Sequence, residues 1–128
     1  GNATFSILFD SCQSTSVSNR MPGQNMHVLS QTADVISPML YPSHFGFSFG
    51  GIKNPADKPA LFLEEGVQKL RDIAPDKTIR PWIQAFKWRV SNYSPQYITE
   101  QIRGSAKAGG HGYLLWNAGN VYERFSKP

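Results

Sequence analysis

The sequence predicts an α/β domain built on a parallel sheet with helices packed against it. Three observations predict it. Four apolar segments begin near residues 4, 34, 78 and 112, a spacing that suits βαβ units of roughly 30 residues or more. Stretches with helical periodicity lie between them, and strands that alternate with helices make parallel sheets. Proline and glycine mark most of the boundaries.

The first strand is expected over residues 4–10 (TFSILFD), where Phe5, Ile7 and Phe9 alternate with Thr4, Ser6, Leu8 and Asp10. A short helix over residues 24–33 follows, with Met26, Leu29 and Ala33 as its stripe. The second strand, residues 34–41 (DVISPMLY), stops at Pro42. Its internal Pro38 has no N–H to give to a ladder, so a bulge or an irregular end is expected there. Between residues 61 and 74 the apolar residues Leu63, Val67, Leu70 and Ala74 recur at intervals of four, three and four, the stripe of a helix with one buried face. Pro59 precedes that helix and Pro75 ends it. Residues 78–86 (TIRPWIQAF) form the third strand. Ser94 and Pro95 then begin a helix as N-cap and first helical residue; Ile98, Ile102 and Ala106 share its face, and Gly109 stops it. The fourth strand covers residues 112–117 (GYLLWN).

Composition narrows the function. The chain has 128 residues, 40% of them hydrophobic and only 17% charged, with eight Phe, five Tyr and three Trp; such a chain folds rather than staying disordered. No apolar run approaches the roughly 18 residues of a membrane span. One cysteine, Cys12, supports neither an internal disulfide nor a cysteine-based zinc site, and no His or carboxylate spacing argues for a metal or other cofactor. The net charge of +4 comes from Lys and Arg scattered from Arg20 to Lys127. A nucleic-acid binder would mass them on one face, which leaves an acidic small ligand or acidic polysaccharide open. A complete eight-stranded β/α barrel takes about 200 to 250 residues, more than this chain holds.

Three motifs carry a resemblance. DVISPMLYPSHF (residues 34–45), RPWIQAF (residues 80–86) and GYLLWNAGNVY (residues 112–122) resemble the C-terminal half of the putative glycoside hydrolase domain family, over about residues 23 to 122. The resemblance implies a bacterial, extracytoplasmic protein with a β/α barrel related to the α-amylase superfamily. Its four strands would then be the last four of eight, so that residues 1–128 form one domain, a parallel β/α half-barrel of about four βα units.

In such barrels chemistry sits at the C-terminal strand ends, and side chains alternate between interior and helix layer. With Ile36, Leu40, Ile79 and Ile83 on the helix side, Ser37, Met39, Tyr41, Arg80, Trp82, Gln84 and Phe86 point inward. Ser43 and His44 lie in the loop above. On the last strand either Trp116 or Asn117 faces the opening. Tyr41, Trp116, Gln84, Asn117 and His44 offer aromatic faces and amide or imidazole groups, the combination a sugar needs for its C–H face and its hydroxyls. Trp82 and Phe86 read first as packing; Tyr41, Trp116 and His44 divide evenly between ligand contact and structure.

Glycoside hydrolysis calls for two carboxyl groups about 5 to 5.5 Å or about 6.5 to 9.5 Å apart. Asp10 alone stands at a strand's C-terminal end, while Asp57 and Glu123 lie in loops. In amylase-like barrels the nucleophile ends the fourth strand and the acid/base the fifth, so this chain would lack the nucleophile. The expectation is therefore a part of a glycoside hydrolase acting on polysaccharide, inactive alone. Its partners are carbohydrate and either the first barrel half or a second copy that covers the open sheet edges. The alternatives are a glycan-binding barrel without catalysis, and a small α/β protein that holds a phosphate or acidic ligand with Lys87 and Arg89.

Overall fold

A computed structural model describes residues 4–8, 33–45, 48–49, 51–120 and 122. Along the chain it contains β1 (Thr4–Leu8), β2 (Val35–Leu40), β3 (Ser48–Phe49), β4 (Ile52–Lys53), α1 (Pro59–Ile73), β5 (Thr78–Ile79), β6 (Trp82–Gln84), α2 (Pro95–Lys107) and β7 (Leu114–Trp116). The expected short helix over residues 24–33 falls outside the described residues, apart from Ala33.

The main sheet is parallel throughout. β1 pairs with β2, β2 with β5 and β6, and β6 with β7. The chain is thus a mixed α/β fold with four parallel strand positions and two helices among the described residues. β5 and β6 are two pieces of one strand: Ile36 faces Ile79 and Met39 faces Trp82 in an unbroken register. The break falls at Arg80 and Pro81. Continuing the register sets Pro81 across from Pro38, and neither proline has an N–H for the ladder. Pro38 itself stays inside β2, opposite Ile7 of β1. The expected irregularity at Pro38 therefore appears on the neighbouring strand.

One face of this sheet carries the core. Ile36, Leu40, Ile79 and Ile83 bury themselves against Phe62, Leu63, Val67 and Leu70 of α1 and Ile98 of α2. Full burial of each large apolar side chain contributes on the order of 2 kcal/mol. α1 starts at Pro59, two residues before the expected Leu61, because proline's fixed φ suits the first helical position and its missing N–H costs nothing there. The helix ends where Ala74 N–H reaches Leu70 C=O at 2.8 Å, just before Pro75.

α2 begins after Ser94, whose backbone is extended as an N-cap requires but whose side chain makes no capping bond. Its buried stripe is Tyr97, Ile98, Gln101, Gly104 and Ser105, and Ala106, expected on that face, is exposed. Two successive steps of four carry a residue about 80° around a helix, so 98, 102 and 106 drift off one face while 98, 101 and 105 stay on it. Gly104 meets α1 so closely that a Cβ there would overlap the carbonyl of Ala60. Beyond the helix Gly109 turns the chain with φ +89°, and Arg71 of α1 donates from Nη1 to Ala108 C=O at 3.1 Å.

After β2 the chain makes a single helical turn at Pro42–His44. The glycine- and phenylalanine-rich stretch beyond it contains a small antiparallel pairing of β3 with β4. A second turn, Pro55–Asp57, leads into α1.

Candidate functional site

The sheet face turned away from α1 and α2 carries Met39 and Tyr41 from β2 and its end, Trp82 from β6 and Trp116 from β7. These four side chains line one apolar depression of about 200 Å³ at the C-terminal edge of the strands. The strand period of two explains the set. Ile83 and Leu115 belong to the helix side, so Trp82 and its register partner Leu114, like Gln84 and its partner Trp116, stand on the other. The Trp82 and Trp116 rings meet edge to face, 6.2 Å between centroids. Trp116 is 45% exposed, so its ring offers a face to solvent.

Tyr41 links this depression to a second aromatic group. Its ring centroid lies 5.4 Å from that of His44 and 5.7 Å from that of Phe86, and the His44 imidazole lies 5.0 Å from the Trp88 ring. Burial disfavours the charged phenolate, and the phenol of Tyr122 adds to the effect, so the Tyr41 hydroxyl is pushed up to about 12.

Gln84 sits at the same edge, fully buried. Its Oε1 accepts from both the backbone N–H and the hydroxyl of Ser43, at 3.1 and 2.9 Å. Its Nε2 donates to Phe86 C=O at 3.0 Å. The side chain placed inward by parity thus fastens the turn after β2 to the loop after β6. From the helix side, Gln101 holds the main chain of Gln84: Oε1 accepts from its N–H at 2.8 Å and Nε2 donates to its C=O at 2.9 Å. Composition gave no sign of this second glutamine; its place among apolar residues on the α2 stripe was the available signal, since a buried amide there must find partners.

Asn117 and Trp116 divide as alternation requires. Asn117 donates from Nδ2 to Ala85 C=O at 2.6 Å and accepts the Gly119 N–H at 2.8 Å, closing the turn beyond β7, while Trp116 lines the depression. His44 is exposed at the rim. Asp10 lies outside the described residues. The structure therefore brings Tyr41, His44, Gln84, Trp116 and Asn117 to one edge of the sheet. To these it adds Met39, Trp82, Phe86 and Trp88. No carboxylate lines the depression among the described residues.

Two more hollows open beside this edge. One of about 390 Å³ lies between the turns after β2 and the loop after β6, with Ser43, Phe45, Asn54, Asp57 and Arg89 in its wall. The other, about 290 Å³, has Asp57, Ser91, Tyr97 and Glu100 among its lining. Asp57 separates them, and both of its oxygens accept from Ser91, each at 3.2 Å, one from the N–H and one from the hydroxyl.

Fold and site together define an α/β domain with a parallel sheet, helices on one face, and an aromatic depression at the C-terminal strand ends of the other. The family model described as "Putative glycosyl hydrolase domain" matches residues 5–122, and the chain belongs to that family. No curated protein and no solved structure matches it.

Proposed function

We propose that this chain is the sugar-binding portion of a glycoside hydrolase that acts on polysaccharide, with its four strand positions serving as the last four of an eight-stranded β/α barrel. The observation that carries the reading is the depression lined by Met39, Tyr41, Trp82 and Trp116. It has the flat apolar surfaces on which a pyranose C–H face packs. In β/α barrels the binding site lies at this end of the strands. Tyr41, Trp82 and Trp116 supply the stacking surfaces and His44 a polar contact at the rim. Gln84 acts through Ser43, holding the turn that presents His44, and Asn117 holds the turn beyond β7.

Cleavage needs a pair of carboxyl groups flanking the bond. Asp57 lines the neighbouring hollows and Glu100 projects from α2, both away from the aromatic floor. The reading assigns the pair to residues outside those described, Asp10 being the member this chain offers. The outer sides of β1 and β7 make no pairing among the described residues; they would join the other half of the barrel or a second copy, since open edges recruit partners.

The test combines calorimetric titration with neutral and acidic oligosaccharides and an assay for released reducing ends. Binding that is weakened on the order of tenfold by Trp116→Ala, without turnover by the 128-residue chain, is expected. Absence of binding to every oligosaccharide tried, or binding indifferent to Trp116→Ala, overturns the sugar-binding reading. Turnover by this chain overturns the placement of the carboxyl pair.

A further inference from the structure

The aromatic floor does not end at Tyr41. Ring contacts run from Tyr41 to His44 and from His44 to Trp88, and the Arg89 guanidinium carbon lies over the Trp88 ring at 4.4 Å. Trp88 is 43% exposed, and Lys87 and Arg89 on either side of it are exposed too. A path of aromatic faces therefore leads out of the Trp116 depression to a held cation.

Arg89 also lines the hollow of about 390 Å³. Two of that hollow's residues, Asn54 and Arg89, are non-glycine residues in the left-handed region, with φ +51° and +55°. That conformation is disfavoured for residues carrying a Cβ, and such conformations concentrate where a site fixes its geometry. At Arg89 it coincides with the stacking of the guanidinium on Trp88, an arrangement that keeps the planar donor fork ordered. Arg89 makes no ion pair with any described carboxylate. Asp57, in the same wall, is held by Ser91 and keeps lone pairs for hydroxyl donors.

We propose that the hollow beside Arg89 is a subsite for an acidic sugar, so that the polysaccharide bound on the aromatic floor is a uronate-containing one, its carboxylate paired with Arg89 and its hydroxyls donating to Asp57. The proposal rests on the sugar-binding reading and specifies its substrate class. An arginine fork matches a carboxylate in two parallel hydrogen bonds, and Lys87, exposed two residues before Arg89, adds to the positive charge of the same segment.

The experiment uses oligosaccharides of galacturonate, mannuronate and glucuronate, each beside its methyl ester, which keeps the ring and removes the charge. At least one acid form is expected to bind about tenfold more tightly than its ester, the effect of a charge-assisted hydrogen-bond pair. Arg89→Gln is expected to reduce that acid to the affinity of its ester while leaving ester binding unchanged. Circular dichroism confirms the fold of the variant, and Lys87→Gln, which leaves the left-handed residue itself unchanged, serves as a second variant with a smaller loss of acid preference. Esters that bind as well as acids, or an acid preference untouched in Arg89→Gln, overturn the acidic subsite and leave the sugar-binding reading standing. Failure of every acid and ester to bind while a neutral oligosaccharide binds overturns the acidic subsite alone, and failure of all of them overturns both.

Discussion

Gln84 accepts two hydrogen bonds from a single residue, Ser43, through one carboxamide oxygen, at 3.1 Å from the main chain and 2.9 Å from the hydroxyl. Both residues are buried, and they lie 41 positions apart. The turn that carries His44 is thereby tied to the strand that carries Trp82. Replacing Gln84 by Leu strands two donors of Ser43 away from water. A loss of about 2–4 kcal/mol in unfolding free energy is expected, read from urea denaturation.

Gly104 lies where α2 crosses α1, against the Ala60 carbonyl. On an isolated helix, Gly→Ala gains about 1 kcal/mol. Here Gly104→Ala is expected to destabilise by about 2 kcal/mol or more, since the added Cβ has backbone in its way and the helices must separate. The exposed Ala106 provides the control: Ala106→Gly is expected to lose only about 1 kcal/mol. In thermal melts both variants are expected below the parent, Gly104→Ala the lower, so that glycine is the more stable residue at 104 and alanine at 106.

The parallel strands and both helices were legible from residue order, whereas the last strand left open whether Trp116 or Asn117 faces the depression until its register with β6 settled it. Alternation at Ile79 and Ile83 placed Trp82 and Gln84 on the face opposite the helices, and Pro95 and Gly109 bracketed α2. What alternation could not supply was the partner of a polar group. Nothing in the local pattern says that Gln84 meets Ser43 or that Gln101 clasps the Gln84 backbone, because these contacts join segments brought together only by the sheet. The Ala106 expectation failed for a different reason, the drift of four-residue steps around a helix. The pairing of β3 with β4 was hidden in a stretch whose phenylalanines and glycines suggest a loop.

Alkaline pH provides a third test. The Tyr41 hydroxyl is pushed up to about 12 by burial and by Tyr122, and burial, with Asp57, Tyr93 and Glu100 adding, raises Tyr97 as well; Tyr97 donates to Ala56 C=O at 2.7 Å. The unfolded chain loses these protons near pH 10 while the folded chain keeps them. Above that pH the folded state binds more protons, so stability is complete below about pH 10 and falls as pH rises toward 12. The fall is on the order of 2 kcal/mol for Tyr41 and is expected to be shallower in Tyr41→Phe, as followed by denaturation midpoints across that range.

Trp116 separates binding from folding. With nearly half its surface exposed, its replacement by Ala removes an edge contact with Trp82 but no part of the helix-side core. The variant is expected to unfold within about 1 kcal/mol of the parent and yet to lose sugar affinity. A large loss of stability would instead make Trp116 a packing residue.

The chain has three tryptophans, and Trp82, Trp88 and Trp116 all lie on the aromatic floor or its extension toward Arg89. An amide-nitrogen correlation spectrum therefore shows three indole N–H signals, each reporting on this surface. Titration with an oligosaccharide is predicted to move the Trp82 and Trp116 signals in a saturable way, with the Trp88 signal following for a uronate ligand. Indole signals that stay fixed while an oligosaccharide binds elsewhere, or that stay fixed because none binds, would contradict the assignment of this face to carbohydrate.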